Sequence, residues 1–294
     1  MSDATPRDAP FGPEAAGPRG AVRTSALNSA WALFAMTLAS QARSRRLLVL
    51  ALLYALPIGL AVLIRYQDAG FQGPTSGYEP AFAEFVLVYN LIPQALVPLA
   101  ALVYASGMIQ DEVEDQTITY LLIRPLPRWS IYVAKLLATL VVTAALTAAF
   151  TAATFLVIGW GQGEYWSSGG LGRMARTIAL FALSLTAYNS LFGALSLLMR
   201  RAILLGVGYI ILLEGIVANI DFVIRKFTVM YYFRVLCERW LGLGYAAKYS
   251  IDLEAAPDVR DCLLALLGTS LAAVVLASGI MGSREFRVKT PEGS

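Results

Sequence analysis

Six long apolar stretches constrain the fold of this chain more than any other feature of its sequence. They cover residues 47–64, 85–109, 136–160, 177–199, 202–220 and 262–283. A helix needs roughly 20 apolar residues to cross the hydrocarbon core of a bilayer. Hydrophobic residues make up 57% of the chain, and this overrides the one or two soluble domains that its length alone would suggest. We therefore predict an all-α polytopic membrane protein with six transmembrane helices.

Missing residue types exclude most catalytic chemistry. The 294 residues contain no histidine, which removes histidine-based triads and the commonest general base. No lysine follows a glycine, so the sequence has no phosphate-binding loop. The net charge is only +3 and the basic residues lie at span ends, as membrane anchoring predicts and nucleic-acid binding does not. We expect no enzyme activity, no metal site, no cofactor and no nucleic-acid partner for this chain.

The regions outside the six spans divide the chain further. Residues 1–24 are rich in Pro, Gly and Ala without an apolar core, which predicts a disordered tail. In residues 25–46, apolar side chains recur on one helical face and three arginines follow. This pattern predicts an amphipathic elbow helix at the membrane surface, although it also fits a simple extension of the first span. The apolar side chains of that face are Leu27, Trp31, Phe34 and Leu38.

Lysines and arginines near the span ends predict the orientation. The side that holds residues 110–135 collects an excess of these residues once the long 221–261 segment is discounted. With an even number of spans, both termini are then cytoplasmic, and residues 284–294 form a cytoplasmic C-terminal tail.

The 221–261 segment mixes aromatic and charged residues, which favours a small helical segment at the outer interface over a plain loop. Cys237 and Cys262 both fall on that side, so one disulfide is conceivable, but buried packing thiols are more common.

A few polar residues interrupt the spans. Glu214 is the one charged residue among them, and an ionisable side chain at mid-span is costly and often functional. Asn90, Gln94 and Asn189 are neutral polar residues in otherwise apolar spans. All four are candidates for a translocation path, and the alternative is hydrogen bonding between helices. The dense small residues of the third span favour close helix packing over a pore lining.

The most specific stretch is 110–135, between the second and third spans. It opens with Asp111, Glu112, Glu114 and Asp115, and acids suit the first turn of a helix. Apolar residues at helical spacing follow, until Pro125 and Pro127 end the helix. Ser130 can cap the next helix, and Lys135 is expected at headgroup level. We predict a short helix, a rigid elbow and a re-entry point into the membrane.

The order of residues in this stretch resembles the motif after the second span in permease subunits of ABC transporters of the type-2 exporter superfamily. The matching residues are Glu112, Thr117, Leu121, Leu122, Pro125, Arg128 and Lys135. Gln116 and Ala134 stand where the family often has glycine, without a change of spacing. The resemblance implies a coupling helix that docks on a separate ATPase subunit, which binds ATP and Mg. It assigns this coupling to Asp111, Glu112, Glu114, Asp115, Thr117, Tyr120, Leu121, Pro125, Arg128 and Lys135.

The resemblance also implies a second permease copy, identical or paralogous, and a location in a bacterial cytoplasmic (inner) membrane. The function that we expect is export driven by ATP hydrolysis in the partner subunit. Two alternatives remain open from the residues: an ion-coupled carrier that uses Glu214, and a membrane anchor subunit that transports nothing.

Overall fold

The computed structural model describes residues 26–71, 79–114, 127–199, 201–220, 223–244, 249 and 251–283. These residues form helices joined by short turns, without a strand. Six helical segments are long and apolar enough to cross a membrane. The spans run Arg45–Tyr66, Pro80–Met108, Trp129–Ile158, Gly163–Leu198, Ala202–Asn219 and Val259–Gly282, and are numbered 1 to 6 below. The predicted six-span, all-helical fold is confirmed.

The helices within these spans are α-helical for most of their length. Their bounds are Arg45–Phe71, Pro80–Ala83, Val97–Glu114, Arg128–Ile158, Gly163–Tyr165, Leu171–Leu198, Ala202–Tyr209 and Val259–Ser283. Wider π-helical turns occur at Glu84–Leu96, Trp166–Gly170 and Ile210–Ile216, and span 5 ends in a 3₁₀ turn at Val217–Asn219. An N-terminal helix, Ala26–Ala42, precedes span 1.

Span 2 shows how the sequence produces these irregular turns. Pro80 occupies the first turn, where its missing N–H costs nothing. Pro93 lies inside the π-helical run, and the N–H of Val97 bonds the carbonyl of Ile92, five residues earlier. The wider turn accommodates the proline without ending the span.

Two span starts differ from the prediction. Span 4 begins at Gly163, well before residue 177, because the charged side chain of Arg173 has a buried partner and does not end the helix. Span 3 begins at Trp129, before residue 136. Ser130 is not the N-cap of that helix: Pro127 holds the cap position, and the Ser130 hydroxyl donates to the Pro127 carbonyl at 2.8 Å.

Span 4 lies at the centre of the bundle and contacts spans 2, 3 and 6. Inside the bundle, hydroxyl and amide side chains form hydrogen bonds between spans. Tyr54 of span 1 pairs with Thr147 of span 3 at 2.9 Å, and Tyr89 of span 2 pairs with Thr177 of span 4 at 3.1 Å. A row of buried threonines in span 3 shows that this part of its small-residue surface packs against other helices, whereas Ala145 and Ala149 are exposed. The row comprises Thr139, Thr143, Thr147, Thr151 and Thr154.

A helical cap follows span 5. It consists of a 3₁₀ turn at Val223–Phe227, an α-helix at Val229–Leu236 and a π-helical turn at Cys237–Leu241. The α-helix Val229–Leu236 is called the cap helix below. Span 5 has only 18 residues, whereas spans 2 and 4 have 29 and 36. The cap therefore fits beside the longer spans, and Phe233 stacks on Phe181 of span 4 at 5.4 Å. Tyr231 and Phe233 of the cap are buried in the protein, whereas Phe227 and Trp240 are exposed, as an interfacial segment predicts.

Candidate coupling site and buried polar clusters

The end of the bundle where residues 110–135 connect spans 2 and 3 is called the acidic end here. We predicted that Asp111, Glu112 and Glu114 lie in the first turn of a separate helix. The helix of span 2 instead continues to Glu114, so these residues lie in its last turn. Residues 108–114 contain neither proline nor glycine, and Met108, Gln110, Glu112 and Glu114 are good helix formers, so the helix continues although acids are unfavourable in its last turn. Arg128 opens the helix that leads into span 3.

Part of the predicted coupling site lies outside the described residues. This holds for Asp115, Thr117, Tyr120, Leu121 and Pro125, and with them for the predicted short helix. The two arms that flank them, ending at Glu114 and beginning again at Arg128, are described. The assignment of these residues to ATPase coupling stays a prediction.

Lys135 joins the two arms. Its side chain is only 2% exposed, and its Nζ donates to the carbonyl oxygen of Met108 at 3.0 Å. The ammonium is therefore held inside the bundle by a carbonyl at the end of span 2, and the headgroup level of this lysine stays a prediction. The start of span 3 is thus fixed to the end of span 2.

The N-terminal helix is attached at the same end. A turn at Arg43 and Ser44 separates it from span 1, so it is not a simple extension of that span. The Gln41 side chain donates from Nε2 to Thr139 Oγ1 of span 3 at 2.8 Å. The Tyr104 hydroxyl of span 2 donates to the Gln41 carbonyl at 3.5 Å. The N-terminal helix therefore contacts both arms of the predicted coupling site.

The apolar face predicted for this helix is only partly buried: Phe34 and Leu38 pack against the bundle in part, and the most deeply buried side chain, Leu33, was not predicted. Trp31 is 69% exposed and stacks on Phe34 at 5.2 Å. Leu33 is the side chain that the helix buries against span 3, next to Ile131 and Ala134. A position in the membrane surface stays a prediction for the exposed side of this helix.

Glu214 lies at the opposite end of the bundle, which is called the cap end here. Its carboxylate caps the first turn of the cap helix Val229–Leu236. Its side chain is 0% exposed. Its two carboxylate oxygens accept the main-chain N–H groups of Val229 and Met230 at 3.2 and 3.1 Å, and the Tyr209 hydroxyl donates to Oε1 at 3.1 Å. The N–H groups of a first helical turn have no partner within the helix, and a carboxylate is favourable there. Glu214 thus joins span 5 to the cap helix.

Arg234 makes the reverse connection from the cap helix. It is 3% exposed and donates to the Ala218 carbonyl at 3.1 Å and to Asn219 Oδ1 at 2.8 Å, both at the end of span 5. Its Nη2 lies 3.5 Å from Gln94 Oε1 of span 2. Burial lowers the pKa of Arg234, but a guanidinium stays charged at neutral pH.

The four predicted path residues do not form one site. Gln94 lines a cavity of about 480 Å³ between spans 2 and 5, beside Leu99 and Gly215. Asn90 is half-buried and donates to the Phe85 carbonyl of its own helix at 2.9 Å. Asn189 is buried between spans 3 and 4 and donates to Thr143 Oγ1 at 3.0 Å. Glu214 and Asn189 therefore serve contacts between elements of the bundle, and only Gln94 faces this cavity.

Sequence reasoning missed a second buried cluster at the cap end. The Tyr165 hydroxyl donates to the Glu84 carboxylate, and Arg173 Nη2 lies 3.6 Å from Glu84 Oε1. The Arg173 guanidinium also lies over the Tyr165 ring at 5.0 Å. The available signal was a pair of opposite charges near the starts of spans 2 and 4, two spans that enter from the same side.

The cysteines behave as packing residues. Cys237 and Cys262 are free and buried, so the disulfide that we considered between them is not formed. Burial raises the pKa of the Cys237 thiol well above its ordinary value. Among the described residues no cluster of acids and cysteines could hold a metal ion.

The comparison with protein families covers nearly all of this architecture. A family model described as ABC-2 family transporter protein matches residues 31–283, from the N-terminal helix to the end of span 6. A comparison with curated proteins found no significant match. The match includes the six spans, the acidic end and the cap. The chain therefore belongs to the ABC-2 family of transporter proteins.

Proposed function

We propose that this ABC-2 permease is the transmembrane subunit of an exporter driven by ATP hydrolysis in a separate subunit. The observation that carries the proposal is the family match over residues 31–283, because ABC-2 permeases generally work with an ABC ATPase partner. ATP and Mg bind in that partner, since this sequence lacks a phosphate-binding loop. The chain itself breaks no bonds.

The contact geometry of the acidic end supports coupling there. An external motor moves spans only through a stiff element. Lys135 ties span 3 to span 2 at Met108, and Gln41 ties the N-terminal helix to Thr139. A push on the 110–135 segment would therefore move three helices as one unit. Force applied to Glu112 or Arg128 enters this unit directly, because each lies on the helical backbone of one arm.

We propose that the acidic end lies in the cytoplasm of a bacterial cell, with both termini on that side of the inner membrane. Two permease copies, identical or paralogous, then enclose the export pathway, and each binds one ATPase. The ATPases close when ATP binds, and the spans alternate access to the two sides.

Gentle detergent purification from the native membrane tests the proposal first. An ABC ATPase in about equal amount should stay bound, as identified by mass spectrometry. Charge reversals at the acidic end, Glu112→Lys and Arg128→Glu, should then reduce ATPase recovery or uncouple hydrolysis while insertion is unchanged.

Matched controls lie at the cap end. Glu164→Lys and Lys226→Glu make the same charge changes on helical turns that the proposed ATPase does not reach. Equal ATPase recovery and activity in all four variants would refute the coupling assignment. Purification of the chain without any ATPase would refute the proposed function itself.

A further inference from the structure

Arg234 links three separate elements at the cap end. It stands on the cap helix, and its guanidinium reaches Ala218 and Asn219 of span 5 and Gln94 of span 2. The same guanidinium lies 4.7 Å from the centre of the Tyr249 ring. One side chain therefore connects the cap to both span 2 and span 5.

The bonding of Arg234 is unusual for a buried cation. All of its acceptors are neutral, and no carboxylate oxygen of the described residues lies within 4.0 Å of it. Its Nε is buried without a hydrogen-bond partner. A buried charge is normally paired, because its transfer out of water is costly. The Arg234 contacts can thus be exchanged for water without breaking an ion pair.

Glu214 differs from Arg234 in this respect. It binds two main-chain amides of the cap helix, which would have no other partner in a buried position. The chain between Glu214 and the Arg234 acceptors is irregular: it passes from a π-helical turn to the 3₁₀ turn Val217–Asn219. Irregular helical turns often mark hinges. The cap is therefore anchored firmly at Glu214 and more weakly at Arg234.

We propose that Arg234 is a positioning residue for transport, which holds the cap closed on spans 2 and 5 and releases it when the cap end opens. The closed state is a property of the chain alone. Release during the cycle rests on the proposed export function, since an exporter must open this end to discharge its cargo.

The accessibility of Ala218 tests the closed state. Ala218 is 4% exposed, and its carbonyl accepts from Arg234. A thiol introduced by Ala218→Cys, in a chain with Cys237→Ala and Cys262→Ala, is exposed to a permanently charged methanethiosulfonate in native membranes. Arg234→Gln should raise its labelling rate about tenfold, the equilibrium factor expected for the loss of one charged hydrogen bond.

Arg239→Gln is the matched control. Arg239 also stands in the cap and bonds two carbonyls and one carboxylate, but these partners lie at Leu253, Ala256 and Asp258. Arg239→Gln therefore removes the same charge without changing a contact to span 2 or span 5. The labelling rate at position 218 in this variant should equal that of the parent chain. Equal rates in the Arg234→Gln and Arg239→Gln chains would overturn the proposal.

Asn219→Ala provides a second variant should Arg234→Gln fail to accumulate. Asn219 is exposed and supplies the shortest of the Arg234 contacts, so its removal weakens the same latch in a chain that can still fold. An unchanged labelling rate in this variant would also overturn the proposal.

Nucleotide dependence tests release. In the purified complex with native Arg234, a non-hydrolysable ATP analogue should raise labelling at position 218, and Arg234→Gln should remove most of the difference between nucleotide states. A rate that is the same in every nucleotide state overturns the transport role. Absence of an ATPase from the preparation is a different result, since it refutes the proposed function and leaves the Arg234→Gln comparison valid.

Discussion

Replacement of Glu214 by glutamine should lower the stability of the chain while leaving the mechanism of transport intact. Glu214 accepts three hydrogen bonds, two of them from main-chain amides of the cap helix. A glutamine offers one oxygen and turns its NH₂ group towards the other amide. That leaves at least one buried N–H without an acceptor.

The size of the effect follows from this unsatisfied donor. A buried N–H without a partner costs about 2 kcal/mol, which corresponds to a fall in Tm of about 4–8 °C for a chain of about this length. Glu214→Ala should be worse, at about 4–6 kcal/mol, because both amides and the Tyr209 hydroxyl lose their acceptor.

Thermal unfolding of the detergent-solubilised protein, followed by fluorescence-detected size exclusion, measures this shift. Thr186→Val is the control: its hydroxyl donates only to the Leu183 carbonyl of its own helix, and its Tm should change by about 1 °C or less. In the folded fraction of Glu214→Gln, ATPase turnover per complex should match that of the parent chain. An unchanged Tm together with lost transport would refute this reasoning and restore Glu214 as the site of an ion-coupled carrier.

Three further predictions concern packing, thiol chemistry and the acidic end. Gly206→Val should cost about 1–3 kcal/mol in thermal unfolding, because a leucine of span 2 occupies the space that a side chain would need, whereas Gly208→Val meets nothing and should cost less. Cys237 should resist maleimide at about pH 8 in the folded chain and react fully in SDS, because its raised pKa keeps the thiol protonated; equal labelling in both states would contradict its burial. Because the folded chain holds this thiol in its protonated form, its contribution to the free energy of unfolding is complete below the ordinary thiol pKa. That contribution declines as the pH rises above the ordinary thiol pKa. Lys135→Met, which shortens the side chain by one atom and removes its hydrogen bond, should loosen span 3 from span 2 and reduce coupled ATPase activity without loss of membrane insertion.

The partners of the buried charges could not be predicted. Glu84 precedes its hydrogen-bond donor Tyr165 by 81 residues and its ion-pair partner Arg173 by 89 residues. Hydropathy treats a charge as a break in a span, so Arg173 and Arg176 made the predicted fourth span begin too late, at residue 177 instead of Gly163. Only the packed bundle shows that a carboxylate meets Arg173.

At the candidate site, too, the sequence predicted which residues matter and the structure added their contacts. The acids, Pro125 and Lys135 were assigned to this site by the resemblance to the family motif, and the structure adds that Lys135 bonds Met108. For Glu214 the sequence left open a path residue and a hydrogen bond between helices. The structure adds that main-chain amides of the cap helix bond its carboxylate, and a role in the path stays a prediction.

The sequence by itself determined the number of spans, their order and the position of the acidic segment. These depend on the length and apolarity of single stretches, which the thickness of the bilayer fixes. The tertiary structure alone decided which faces meet protein and which meet lipid, and which polar atoms bind each other. Burial against another helix and burial in lipid favour the same apolar residues, so only the contacts between distant parts of the chain distinguish them.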